Sequence, residues 1–151
     1  MEIFRLNDKR AAVTGAAGGI GRAIAIRFAH AGTEVILLDL NADSANRVAA
    51  EVASETSRSG SALACDVSEE SSVAAAFGQI AASGSLDVLV NSAGVAHIGS
   101  ILTTASLDFD RLYRINVRGT YLAMQAAIPL MVKRQAGVIL NMASIAATCG
   151  I

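Results

Sequence analysis

The segment Thr14-Gly15-Ala16-Ala17-Gly18-Gly19-Ile20-Gly21 lies between a short apolar run, Ala11 to Val13, and an amphipathic stretch that begins near Arg22. A glycine-rich turn leading from a buried strand into a helix lets the backbone approach a pyrophosphate closely. The free N–H groups of the first helical turn add donors and partial positive charge. The segment is therefore a nucleotide-binding candidate, and the rest of the chain can be placed around it.

Beyond Gly21, Ile24, Ala25, Phe28, Ala29 and Ala31 recur at helical spacing and Gly32 supplies a stop. Val35 to Leu38 is apolar and too short for a helix, so the order is strand, helix, strand: a βαβ unit. Asp39 closes the second strand, 18 positions after Gly21. A carboxylate about 20 residues past such glycines accepts hydrogen bonds from the adenosine ribose hydroxyls and repels a 2′-phosphate, which favours NAD over NADP. Leu40, Ala16 and Ala17 offer that phosphate no cation. The same position equally suits an N-cap or turn aspartate ahead of a helix expected from Ala42.

That helix, to about Glu55, gathers Ala45, Val48, Ala49 and Val52 on one face. Ser57 to Gly60 reads as a polar connection and Ser61 to Cys65 as a third strand. Ser68-Glu69-Glu70-Ser71 predicts a capped helix start, with the helix reaching about Ala82. Asp66 falls at the carboxyl end of the third strand, where open α/β sheets place ligands, and a plain turn role fits as well. Leu86 to Val90 is a fourth strand leading into Asn91-Ser92-Ala93-Gly94, small residues that leave room for a ligand or simply make a tight exit. Val95 to Thr104 shows no period, and His97 within it, without an identifiable carboxylate or serine partner, reads as structural or exposed. A long helix is expected over Leu107 to Arg134, kinked locally at Pro129 and ended by Gly137. Val138 to Leu140 is then a fifth strand, leading to Asn141-Met142-Ala143-Ser144.

At 151 residues the chain supports one domain, residues 1–151. With 53% hydrophobic and 17% charged residues it is too apolar for a disordered chain and suits strands buried on both faces. Twelve basic and thirteen acidic residues leave no positive field for nucleic acid or an anionic membrane. Cys65 and Cys149 have no Cys or His neighbours at metal-ligand spacing, so no metal site is expected and buried reduced thiols are the simpler reading. The start Met1-Glu2-Ile3-Phe4-Arg5 lacks a secretory pattern. The interval Val88 to Leu107 is too broken by polar residues and glycines to span a bilayer, and a cytoplasmic, soluble protein is expected.

Six motifs in chain order resemble the short-chain dehydrogenases/reductases: Thr14-Gly15-x-x-x-Gly19-Ile20-Gly21, Asp39, Asp66-Val67, Asn91-Ser92-Ala93-Gly94, Asn116 in the long helix, and Ser144. The resemblance covers practically the whole chain. It implies a Rossmann-like doubly wound parallel sheet of strand order 3-2-1-4-5 with NAD across the carboxyl edge. Gly15, Gly19, Ile20 and Gly21 would surround the pyrophosphate and adjoining ribose, Asp39 the adenosine ribose, and Asp66 and Val67 the adenine. Asn91, Ala93 and Gly94 would line the path toward the nicotinamide. Ser92 stands where many relatives have a second asparagine, which implies a small adjustment.

The resemblance also implies catalysis on a secondary alcohol or ketone, such as a sugar alcohol, another hydroxy compound or a 3-oxoacyl substrate. Asn116 would hold a water in a proton relay and Ser144 would position and polarise the substrate oxygen. The family's Tyr-x-x-x-Lys pair has no counterpart here. The only lysines are Lys9 and Lys133, while Tyr113 and Tyr121 are followed four places later by Val117 and Gln125. A tyrosine of ordinary pKa, about 10, transfers protons poorly near neutrality. The expectation is an amino-terminal portion of such an oxidoreductase, its carboxyl-terminal part missing and inactive as written, with a sheet edge and apolar helix faces uncovered. Relatives commonly pair through the long helix, so the complete enzyme is expected to be a homo-oligomer. A non-catalytic nucleotide-binding or interaction module is the competing reading.

Overall fold

The computed structural model describes residues 5–56 and 58–145. The expectations for Met1 to Phe4, for Ser57 and for Cys149 fall outside those residues. In chain order the elements are β1 (Arg10–Thr14), α1 (Gly19–His30), β2 (Glu34–Asp39), α2 (Ala42–Glu55), β3 (Gly60–Ala64), α3 (Glu70–Ser83) and β4 (Val88–Asn91). Then come α4 (Ser106–Leu112), a π-helical segment (Tyr113–Gly119), α5 (Thr120–Val132) and β5 (Val138–Asn141).

All strand pairings are parallel, and the five strands run in the order β3-β2-β1-β4-β5. Ala11 sits opposite both Val35 and Val88, and Val88 opposite Val138. Side chains alternate across a strand, and each apolar run therefore feeds two cores. Ala12, Ile36, Leu38 and Leu89 point to the face covered by α3 and α5, where Phe77, Ile80, Leu122 and Met131 meet them. Ala11, Val13, Val35, Leu37, Val88 and Val90 point to the face covered by α1 and α2, where Ala25, Ala29, Val48 and Val52 meet them. Burial on both faces explains why these strands read as unbroken apolar runs rather than as alternating ones.

Because β1 is followed outward by β2 and β3 on one side and by β4 and β5 on the other, the chain reverses its direction of winding between β1 and β4. The crevice at that switch point is where open α/β sheets bind ligands. At the opposite end of the sheet Asp87, buried, accepts hydrogen bonds from the Arg10 N–H at 3.0 Å and from Arg134 Nη1 at 2.8 Å, and pairs with Lys9 at 3.5 Å. Burial pushes its carboxyl up, but the Arg10 N–H, Arg134 and Lys9 outweigh that and hold it below the usual carboxylate value.

Two expectations need correction. Helix α3 begins at Glu70, with Glu69 at its N-cap and no capping side chain. Ser68 is diverted instead, since its N–H and hydroxyl both donate to Asp66 Oδ1 at 2.9 and 2.7 Å. The long helix runs from Ser106 to Val132, continuing through Pro129, and its middle is a wide π turn rather than uniform α-helix. Among the described residues no helix is long and apolar enough to cross a membrane. Val138 and Leu140 on β5, an outer strand of the sheet, and Met142 just beyond it are about half exposed.

Candidate nucleotide-binding site

The glycine turn is closed by contacts that only glycine permits. Gly15 has φ +66°, and a Cβ there would stand 2.8 Å from Ala93 Cα and 2.9 Å from Ala93 N. A Cβ on Gly21 would overlap the Gly15 carbonyl. Thr14 Oγ1 accepts from the N–H groups of Ser92 and Ala93, both at 3.1 Å, so the exits of β1 and β4 are locked together. Helix α1 then begins at Gly19 with no side-chain cap and no acidic residue in its first turn, which leaves its amide dipoles uncompensated by a nearby carboxylate of its own.

Asp39 reaches this turn from the end of β2. Its Oδ2 accepts the Ala17 N–H at 2.9 Å and its Oδ1 the Asn41 N–H at 3.1 Å. The helix cap is a different residue, because Asn41 Oδ1 accepts the Ser44 N–H at 2.9 Å. Of the roles open to Asp39 on sequence, the N-cap is therefore taken by Asn41. The turn contact and an approach to the glycine loop coexist at Asp39.

Two adjoining clefts lie along this edge. One, about 420 Å³, is lined by Gly15 and Gly18 to Gly21 of the glycine turn, Asp39, Ser92 to Gly94, Met142 and Ala143. The other, about 240 Å³, is lined by Gly15, Asp39, Leu40, Cys65, Asp66, Val67, Ala93, Gly94, Val95 and Ile115. Neither is lined by Lys or Arg. Every cofactor residue singled out on sequence lines one of them except Asn91. That residue is 4% exposed and donates from Nδ2 to Asn141 Oδ1 at 2.8 Å, while its own Oδ1 is buried without a partner among the described residues. Asn91 thus ties β4 to β5.

Asn116 is exposed and spends its carboxamide on the loop after β4. Its Oδ1 accepts the Val95 N–H and its Nδ2 donates to the Val95 carbonyl, both at 2.9 Å. The amide thus bonds to backbone, and the Asn116 carbonyl accepts from Thr120 Oγ1 at 2.9 Å. A Cβ on Gly94 would stand 3.4 Å from Asn116 Oδ1, which puts the asparagine at the lip of the clefts. Ser144 is exposed at the exit of β5, two residues beyond Met142, whose N–H donates to the Asn91 carbonyl at 3.0 Å. His97 is exposed.

Leu40, Cys65, Val95 and Ile115 line the second cleft without having stood out in the sequence. Cys65 carries the one usable signal, its place just before Asp66. Burial, then the charges of Asp66 and Asp39, push its thiol up to about 11, so it stays protonated. Among the described residues no group of three or more His, Cys, Asp or Glu is arranged to hold a metal ion.

The family model described as short chain dehydrogenase matches residues 9–151. The chain belongs to the short-chain dehydrogenases. It is 44% identical over 146 residues to a D-threitol dehydrogenase of Mycolicibacterium smegmatis, which covers 96% of this chain and 56% of that protein. Among solved structures, a short-chain type dehydrogenase/reductase from Mycobacterium marinum superposes with a TM-score of 0.94 at 31% identity, covering 99% of this chain and 61% of that one. A 7α-hydroxysteroid dehydrogenase complexed with NADH and 7-oxo glycochenodeoxycholic acid superposes with a TM-score of 0.92 at 37% identity, covering 99% and 58%. The chain spans about half the length of the curated relatives it matches.

Proposed function

We propose that this chain supplies the NAD-binding part of a short-chain dehydrogenase that oxidises a secondary alcohol or reduces the corresponding ketone. The observation that carries the reading is Asp39, whose carboxylate bridges the glycine turn and the start of α2 while lining both clefts. A ribose diol offers hydroxyl donors to such a carboxylate. A 2′-phosphate beside it meets like charge, with no Lys or Arg in the cleft lining to offset it.

The residues fit a dinucleotide. The turn has no room for a side chain at Gly15 or Gly21, is open at Gly18 and Gly19, and leaves its amides at a helix start, which suits a pyrophosphate. NAD, when bound, supplies the ring that accepts or donates hydride. Gly15, Gly19, Ile20 and Gly21 would hold the pyrophosphate and its ribose, Asp66 and Val67 the adenine, and Ala93 and Gly94 the approach to the nicotinamide. Ser144 would orient the substrate oxygen. Asn116, tied to Val95, would fix the loop that borders the substrate and offer its backbone carbonyl to a water.

The substrate class, a polyol or another hydroxy compound, rests on the names of the relatives, threitol and hydroxysteroid dehydrogenases. The exposed apolar residues Leu107, Phe109, Tyr113 and Val117 on the long helix support association of the complete protein with a second copy. A cytoplasmic location and the absence of nucleic-acid or membrane partners belong to the same reading, on the near-neutral charge.

These 151 residues hold no tyrosine with a lysine four places on. That supports a second reading, nucleotide binding without turnover. Titration of the protein with NADH, followed by turnover assays with NAD and a panel of polyols and secondary alcohols on a longer form that continues through a Tyr-x-x-x-Lys segment, separates the two. Saturable binding at one site per chain with turnover supports the enzyme, and binding without turnover the second reading. No binding overturns both.

A further inference from the structure

The π-helical segment touches the adenine end of the proposed site through two consecutive residues. Arg118 Nη1 donates to the Ser68 carbonyl at 2.8 Å, and its Nη2 lies 3.6 Å from Glu70 Oε2. Gly119 is buried directly on the same loop, since a Cβ there would stand 2.9 Å from Val67 Cγ2 and 3.1 Å from the Val67 carbonyl. Within the loop Ser68 donates twice to Asp66 Oδ1, and the Asp66 N–H donates to Ser72 Oγ of α3 at 2.9 Å. Asp66 Oδ2 has no hydrogen bond among the described residues, and Asp66 and Val67 both line the smaller cleft.

We propose that Arg118 is a positioning residue for purine recognition: by holding the Ser68 carbonyl it sets the Asp66 carboxylate and Val67 against the adenine ring. The inference rests on the NAD reading above. The ion pair with Glu70 is too exposed to matter much, with 73% of the Glu70 side chain in solvent. The charge-assisted bond to the buried Ser68 carbonyl is the effective part.

Without it the Asp66–Ser68 turn survives on its own bonds, but its placement relative to the rest of the cleft loosens. Directional hydrogen bonding tolerates only about 0.5 Å of misplacement. The 6-amino group of adenine donates to a carboxylate, whereas the 6-oxo group of hypoxanthine accepts and meets Asp66 with like polarity. Purine discrimination therefore reads the placement of Asp66, and a general loss of stability does not move it.

The test titrates the intact protein and its Arg118→Met, Arg118→Lys and Glu70→Gln variants with NADH and with reduced nicotinamide hypoxanthine dinucleotide, checking each fold by circular dichroism. The unsubstituted protein is expected to prefer NADH by about 10- to 100-fold, as befits a hydrogen bond to a charged group. Arg118→Met should lose most of that preference while binding the hypoxanthine analogue within about threefold of the parent, since that analogue never made the bond. Glu70→Gln should keep the preference. Arg118→Lys, which keeps one donor, should retain an intermediate preference, and it carries the test if Arg118→Met does not fold. An unchanged preference in the Arg118 variants, or equal weakening for both dinucleotides, overturns the role of Arg118 and leaves the NAD reading standing. A parent protein that binds neither dinucleotide overturns the NAD reading itself.

Discussion

Replacing Gly15 by alanine tests the glycine turn at its tightest point. The backbone at Gly15 has φ +66°, a conformation that costs an L-residue about 1–2 kcal/mol. The new methyl would also stand 2.8 Å from Ala93 Cα. That backbone cannot retreat freely, because Ser92 and Ala93 both donate to Thr14 Oγ1. Overpacking of this kind adds roughly 1–3 kcal/mol, for a total loss of about 2–5 kcal/mol. Gly78 provides the contrast: it lies within α3, and a Cβ there meets nothing within 4 Å. Gly78→Ala should therefore stabilise by about 0.5–1 kcal/mol. Urea unfolding followed by circular dichroism measures both. A Gly15→Ala variant within about 0.5 kcal/mol of the parent would refute the argument that the β1 turn and the β4 exit are packed to the limit of a glycine.

Three further outcomes are expected. Asp87→Asn should cost about 1–3 kcal/mol at neutral pH. Because the folded carboxyl sits below its ordinary 3.8, its contribution is present above that value and lost as pH falls through the lower folded value, so parent and variant urea midpoints should converge in acid. A gap that persists or widens in acid would contradict the assignment. Cys65, raised to about 11, should resist a thiol reagent at pH 8 in a Cys149→Ser background until urea is added, and prompt labelling of the folded protein would show that it is neither buried nor protonated. Asn116→Ala removes the acceptor of the Val95 N–H. Its amide hydrogen exchange should speed up by about tenfold or more, whereas an unchanged rate would mean the loop is held by something else.

The sheet was legible because its determinants are local. Val35 to Leu38 and Val88 to Val90 can bury both faces only inside a parallel sheet, and Gly15 to Gly21 marks where the first strand turns into a helix. The boundary errors came from competition among polar side chains over a few residues. Ser68 offers the same hydroxyl to a helix cap or to Asp66, and Asp66 takes it. Asn41 takes the cap that Asp39 could have made.

The π turn was invisible for a different reason. The apolar spacing of Leu112, Ile115 and Leu122 is compatible with ordinary α-helix, while the widening accompanies bonds that Asn116 makes to Val95, 21 residues away in sequence. The amide pair Asn91 and Asn141, 50 residues apart, is equally non-local. Residue types along the clefts could be nominated from motifs, but which of them face the clefts follows from packing. Asn91 pairs with Asn141, while Leu40 and Ile115 line the smaller cleft.

Competition between NADH and NADPH for the protein and its Asp39→Asn variant bears most directly on what this site is for. The carboxylate at the end of β2 should make the parent favour NADH by about 100-fold, close to 2.7 kcal/mol and within the range for like charges near a protein surface. Removing the charge should bring the two dinucleotides to within about tenfold of each other. A parent protein that binds NADPH as tightly as NADH, or an Asp39→Asn variant with an undiminished preference, would contradict the reading of Asp39 as the group that selects the ribose diol.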